Sequence, residues 1–354
     1  MPLSTDFLNN PQNFCQHHAI RMAGSTNEAA KLPDPTFALG AWNNAGSYYP
    51  VAAGGAGNVN LGYDVAANAV NVCWIDVGDN QVRLFIQGSN DQLVAAGNGT
   101  VFADWFPAYF LPWGAGKIGR MRLPAQPAAT VPVPVRAFFT AEMNGCSFVV
   151  GGSKKSPVVA HYNVANPTGA LTQNQKDQTQ IAMVKATLAP GGVVPNVGGK
   201  RVNALRWVPN TYNADATTGA TIANNPMTPY DALGAEVTTV ENNVRTGLLA
   251  HNQKPVPGPA NPNGIISNIR VAMMGVLDPG TRDWRFFYQR NFYTQTNYKD
   301  KLGWTGGMQK KLGMDHRQVQ TQVKHLLING WEYTELWPNG PGVMRMPGHG
   351  NPNI

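Results

Sequence analysis

Charge is scarce in this chain. Of 354 residues, 13% are charged and 43% hydrophobic. That balance is too apolar and too weakly charged for a disordered protein and places the chain among globular ones. The charge that exists is lopsided, with 27 basic against 20 acidic residues and a net +7. It is also scattered, which suits an acidic partner surface or plain solubility better than a nucleic-acid groove, so no nucleic-acid partner is expected. Cysteine is rarer still, with Cys15, Cys73 and Cys146 the full set. Three distant cysteines build no disulfide framework, and the odd count agrees with a reducing workplace and at least one free thiol. Apolar runs of the roughly eighteen residues needed to cross a bilayer are missing, so no membrane span is expected. The opening MPLSTDFLNNPQNF lacks a basic stretch followed by an apolar one, so no Sec signal is expected. A cytosolic protein and one exported by a dedicated secretion machine both begin this way.

Cofactor motifs are lacking too. Ala52 to Asn58 (AAGGAGN) has neither the spacing nor the strand–helix context of a nucleotide-binding loop. The GGK ending at Lys200 has no Gly five residues before Gly199, and Arg201 stands where a phosphate loop needs Ser or Thr. Cys15, His17 and His18 form CQHH, but a metal needs further ligands and none is grouped nearby. His316 and His325 are nine residues apart on an expected helix, which puts them on different faces. Neither a cofactor nor a metal is expected.

What the chain has in plenty is Gly (38) and Pro (27), with short apolar runs between them. This is a loop-rich, β-leaning composition. Residues 1–60 read as a polar N-terminal arm, a candidate for export or targeting, and 61–354 as a single β-rich domain. Val70–Val77 and Gln81–Gln87 read as a hairpin around Gly78-Asp79-Asn80. Short strands are expected near Gln92–Ala95, Thr100–Ala103, Lys117–Leu123 and Arg201–Val208. The aromatics Trp105, Phe106, Tyr109, Phe110 and Trp113 fit packing against a sheet better than a ligand cleft. Pro124–Pro134 reads as a stiff connector. Apolar spacing predicts helices over Gln173–Leu188 and His316–Asn329, while Glu236–Leu249 reads as strand-like. Asn268–Val276 and Trp284–Tyr293 form a second hairpin around Asp278–Asp283, and the tail from Pro338 reads as loosely held.

The stretch that carries chemistry is Pro134–Asn163, PVRAFFTAEMNGCSFVVGGSKKSPVVAHYN. It reads as strand (Val135–Ala141), turn (Asn144-Gly145), strand (Cys146–Val150), turn (Gly151–Ser156), strand (Val158–His161). Antiparallel neighbours of this kind can bring Cys146 face to face with His161. A thiol beside an imidazole is the minimal equipment for covalent catalysis, because the imidazole takes the thiol proton and the thiolate attacks a carbonyl carbon.

Gly145 directly before Cys146, and His161 fifteen residues after it, resemble the glutamine deamidase toxins of the cytotoxic necrotizing factor type. Those carry hydrophobic-Ser-Gly-Cys and a later His; here the residues are Met143-Asn144-Gly145-Cys146 and His161, with Asn144 where Ser is usual. The related Burkholderia lethal factor pairs its Cys and His with a Thr six residues before the Cys, where Thr140 stands here. The resemblance covers about thirty residues. It implies a compact α+β, β-rich fold of packed mixed β-sheets, sandwich-like, flanked by helices and long loops. It also implies a protein substrate in a host cell, such as a small GTPase or a translation factor, and delivery by injection without a Sec signal to act in the host cytosol as a monomer.

On that reading the Cys146 thiolate adds to a glutamine carboxamide, and backbone N–H groups around Asn144 and Gly145 hold the oxyanion. His161 protonates the departing ammonia and then activates water against the thioester, which leaves glutamate. A third group holds the imidazole: Thr140, through its side chain or carbonyl, or alternatively Asn163. A Cys-dependent peptidase or transglutaminase-like enzyme would share the first half-reaction. A β-rich binding or structural protein, with Cys146 as a buried core residue, is the non-enzymatic alternative.

Overall fold

The structure is a computed structural model that describes residues 2–22, 49–51, 60–78, 80–112, 117–125, 135–143, 146–162, 199–203, 210–212, 234–250, 253–255, 265–300, 322–338 and 344–346. Two short helices come first, α1 (Leu3–Asn9) and α2 (Pro11–His17). Strands β1 (Ala19–Arg21), β2 (Tyr49–Val51), β3 (Asn60–Asp64), β4 (Ala69–Gly78) and β5 (Gln81–Ile86) follow. Helix α3 (Asn90–Gly97) leads to β6 (Phe106–Leu111), β7 (Lys117–Arg122), β8 (Ala137–Thr140), β9 (Ser147–Ser153), β10 (Ser156–Tyr162), β11 (Gly199–Asn203) and β12 (Asn210–Tyr212). After helix α4 (Gly234–Ala250) come β13 (Gln253–Pro255), β14 (Ile265–Leu277), β15 (Trp284–Asp300), β16 (Gln322–Trp337) and β17 (Met344–Met346).

These strands make two mixed sheets. One runs β1-β5-β4-β6-β8-β14-β15-β16-β17, with β13 also on β15; the other runs β12-β11-β9-β10-β7-β3-β2. Most described pairs are antiparallel, but β1–β5, β6–β8 and β3–β7 are parallel. The fold is α+β and β-rich, as the sequence led us to expect. No helix among the described residues is long and apolar enough to cross a membrane.

The chain divides into two compact units. The first takes Met1–Thr228, Val271–Gln289 and Tyr333–Met344; the second takes Pro229–Arg270, Arg290–Glu332 and Arg345–Ile354. In the second unit α4 buries Leu248, and β13 pairs antiparallel with β15 from Gln253–Asp300 to Pro255–Tyr298.

The core of the first unit follows from alternation along β8, all four residues of which are buried. Successive side chains leave opposite faces of a strand. The Phe139 ring lies 5.4 Å from that of Phe7 on α1 and 5.5 Å from Trp74, and Trp74 lies 5.3 Å from Phe14 on α2. Phe138 faces the other way, 5.9 Å from Phe148 of β9 in the second sheet. Around β8, one face of the first sheet is therefore covered by α1 and α2 and the other by the second sheet. The Gln289 amide ties the helical side down. It donates to the carbonyls of Cys15 (2.9 Å) and His18 (2.7 Å) and accepts from the Ile20 N–H (2.6 Å).

Several sequence expectations need correction. Residues 3–21 of the expected polar arm are packed structure, because Phe7, Phe14, Cys15, Ala19 and Ile20 sit in the core. Asn90–Gly97 is helix rather than strand: the Ser89 hydroxyl accepts from the Gln92 N–H at 3.2 Å, and the Gln92 amide accepts from the Gly88 N–H at 3.1 Å, a near capping box. Thr100–Ala103 is irregular. Glu236–Leu249 falls within α4, where Val240, Val244 and Leu248 recur every four residues. Residues 322–329 belong to β16, not to a helix, because pairing with β15 and β17 overrides a helical spacing of Val323, Leu326 and Leu327. Met344–Met346 in the tail is a sheet strand. The expected helix Gln173–Leu188 lies outside the described residues, as does most of the connector Pro124–Pro134.

Candidate functional site

The three strands of the strand–turn–strand–turn–strand reading of Pro134–Asn163 match β8, β9 and β10. The second turn is tighter than expected. Strand β9 runs on to Ser153, Lys154-Lys155 make the turn, and β10 starts at Ser156. In this hairpin His161 pairs directly with Phe148. Directly paired side chains share a face, and Phe148 packs on Phe138 and Phe286 of the first sheet. His161 therefore also points at the first sheet, where Thr140, two residues after Phe138, points back. The two meet: Thr140 Oγ1 is 2.8 Å from His161 Nδ1. Thr140 is fully buried and His161 is 1% exposed.

A third group completes the contact. The Thr140 hydroxyl donates to the main-chain carbonyl of Leu111 at 2.7 Å. Leu111 ends β6 and stands beside Thr140 in the parallel β6–β8 pairing. The other ring nitrogen, Nε2, is buried and has no hydrogen-bond partner among the described residues. Burial lowers the His161 pKa to about 3, so the ring is neutral throughout the physiological range.

Cys146 immediately precedes β9 and is 5% exposed. It stands two residues before Phe148, the partner of His161, and one residue before the last described pair of the ladder, Ser147 with Tyr162. Asn144, Gly145 and Asn163 lie outside the described residues. The structure thus brings Thr140 and His161 into contact and places Cys146 just ahead of β9, one residue beyond the described end of the β9–β10 ladder. Sequence reasoning missed Leu111. Its contribution is a backbone oxygen from a strand 29 residues away, and no side-chain pattern marks such a group.

The other cysteines are elsewhere in the core. Cys15 Sγ lies 3.5 Å from the Met274 sulfur, and burial pushes its thiol pKa far up. Burial also raises Cys73. His17, two residues after Cys15, is exposed and bonds the Asn13 carbonyl at 2.8 Å, so the CQHH residues diverge. Phe106, Tyr109 and Phe110 are buried against neighbouring strands and rings. In comparisons with known proteins, no family model and no curated protein matches this chain.

Proposed function

We propose that this protein is a cysteine-dependent protein-glutamine deamidase of the toxin or effector kind, with Cys146 as nucleophile and His161 as general base and acid. The observation that carries the reading is the 2.8 Å contact between Thr140 and His161, residues 21 apart in sequence, with Cys146 two residues before the ladder partner of His161. A neutral imidazole held at one nitrogen and open at the other is what proton transfer from a thiol needs.

The reaction then runs in two halves. His161 takes the thiol proton as Cys146 sulfur adds to the glutamine carboxamide carbon. The tetrahedral adduct collapses as His161 returns the proton to the departing ammonia, leaving a thioester. Water, deprotonated by His161, attacks the thioester carbonyl; sulfur leaves, and glutamate is formed. The substrate is a host protein of the small GTPase or translation-factor class, met in the host cytosol after delivery without a Sec signal. Backbone N–H groups around Asn144 and Gly145 are assigned the oxyanion.

The test is mass spectrometry of host-cell proteins incubated with wild type and with Cys146→Ser. A gain of about one dalton at a glutamine, seen only with wild type, supports deamidation. Cleavage or amine adducts would move the assignment to peptidase or transglutaminase. The near-complete burial of Cys146 and His161 favours a second reading, a β-rich binding protein with both residues in its core. Under that reading Cys146 reacts with iodoacetamide no faster than Cys15 or Cys73 until the protein unfolds.

A further inference from the structure

We infer that the Leu111 main-chain carbonyl, acting through the Thr140 hydroxyl, is a positioning group that locks His161 as the Nδ1–H tautomer and leaves Nε2 as the free base.

Proton counting gives the result. The Leu111 carbonyl and Thr140 Oγ1 are 2.7 Å apart. Two oxygens at that distance need a proton between them, and a carbonyl has none, so the Thr140 hydroxyl supplies it. Thr140 Oγ1 is also 2.8 Å from His161 Nδ1. That contact needs a proton as well, and the hydroxyl has only one. The proton is therefore on Nδ1, and the hydroxyl oxygen accepts it. A neutral imidazole has one N–H, so Nε2 carries the lone pair. Reversing the chain would set two bare oxygens against each other at 2.7 Å and bury an Nε2–H donor with no described partner.

The carbonyl is well fixed for this task. It also accepts the Ala141 N–H at 3.3 Å, and Leu111 stands in register with Thr140 in the parallel pairing. It cannot turn away without breaking the end of the β6–β8 ladder. Direction is thus imposed on the hydroxyl by backbone, and on the imidazole by the hydroxyl. A side chain that orients a catalytic imidazole commonly accepts through a carboxylate; here a neutral hydroxyl acquires acceptor polarity from the carbonyl behind it. The catalytic meaning of this polarity rests on the deamidase reading, whereas the tautomer itself does not.

The experiment is nitrogen NMR of the full chain labelled with 15N-histidine, with the His161 signals assigned by their loss in His161→Gln. At neutral pH wild type should show Nδ1 protonated and Nε2 at the shift of a bare imidazole nitrogen. Thr140→Ser keeps the hydroxyl and should keep the tautomer. Thr140→Val removes it at nearly equal volume and should move the proton to Nε2 or mix the two forms. In the deamidase assay Thr140→Val should lower kcat on the order of 100-fold with little change in KM, and Thr140→Ser should restore most of it. A wild-type Nε2–H signal overturns the inference, and so does a tautomer unchanged in a folded Thr140→Val. If Thr140→Val does not fold, the wild-type spectrum alone decides. The expected tautomer without any glutamine turnover would refute the deamidase reading and leave the relay standing; turnover with an Nε2–H tautomer would do the reverse.

Discussion

Gly275→Ala should destabilise the first unit more than any surface change, because Gly275 faces an aromatic cluster that joins the two sheets. A Cβ built there would lie 2.8 Å from Phe286 Cε1, 3.1 Å from Phe286 Cδ1 and 3.2 Å from Phe138 Cβ. Phe138 Cβ is one bond from backbone and moves only with β8, the register partner of Gly275. The Phe286 ring has nowhere to swing. It is hemmed in by Phe138 at 5.6 Å, Phe148 at 6.0 Å, Trp337 at 6.0 Å and Trp284 at 6.3 Å, all buried. One added methyl in such a site falls in the overpacking range of about 1–3 kcal/mol, and the blocked ring argues for the upper half. Urea unfolding should show a lower midpoint at unchanged slope. Phe286→Leu removes the ring behind the two shortest conflicts and leaves only Phe138 Cβ, so Gly275→Ala should cost less in that background, with a coupling of about 1 kcal/mol or more in the double-mutant cycle. A loss below about 0.5 kcal/mol in the single mutant, the range of surface substitutions, would refute the reasoning, since the ring would then have room to yield.

Two further outcomes follow from buried polar groups. Gln289→Leu keeps the volume but removes three hydrogen bonds, those to the Ile20 N–H and to the Cys15 and His18 carbonyls. At about 0.5–1.5 kcal/mol for each hydrogen bond lost, stability should fall by about 1.5 kcal/mol or more. Amide exchange at Ile20 should accelerate beyond that of the second sheet, and a loss under about 1 kcal/mol would contradict the assignment. His161 makes stability depend on pH with a definite sign. Its folded pKa of about 3 lies below the usual 6.5, so in that window the unfolded chain binds the extra proton and stability falls on acidification. The slope from this one group is at most about 1.4 kcal/mol per pH unit between pH 6.5 and about 3. Half-buried His18 is also lowered, mainly by burial, and contributes with the same sign. The measurement is therefore the difference in slope between wild type and His161→Gln, and equal slopes would show that His161 is not held neutral.

How much of this was legible depended on whether the signal was local. The Gly78–Asn80 hairpin was readable because its turn chemistry sits in three consecutive residues; Gly78 (φ +88°) and Asn80 (φ +57°) occupy the left-handed region that such residues tolerate. Cys146, His161 and Thr140 were readable as a spacing, and two of the three touch. The N-terminal helices were not readable, since Phe7 and Phe14 are isolated apolar residues in a polar stretch, and their burial depends on Trp74 and Phe139, far along the chain. Strand β16 failed for the same reason, because its identity comes from its neighbours. Helix α3 did carry a local sign, Ser89 three residues before Gln92, but its apolar residues Leu93 and Val94 are exposed, so hydrophobic patterning misled. Leu111 could not be found by any reading of side chains.

The two halves of the candidate site stand on different sheets, and that makes the site hostage to the packing between them. Thr140 belongs to β8 and His161 to β10, yet their 2.8 Å contact has little slack, since a hydrogen bond is largely gone by about 3.5 Å. What sets the separation is the pair of residues beside them, Phe138 two before Thr140 and Phe148 opposite His161, whose rings meet at 5.9 Å. Phe148→Leu should therefore do two things at once. Global stability should drop within the ordinary core range of about 0.5–3 kcal/mol. The Thr140–His161 contact should also loosen, so that the His161 Nδ1 proton exchanges with solvent faster than the loss of stability alone accounts for. A matched loss placed on the helical side, such as Phe139→Leu, should lower stability without that extra exchange, because Phe139 packs on Phe7 and Trp74 rather than on the second sheet. If both variants change His161 exchange equally, the spacer role of Phe148 is wrong. The contact would then be held by β10 and the Leu111 carbonyl without help from the rings.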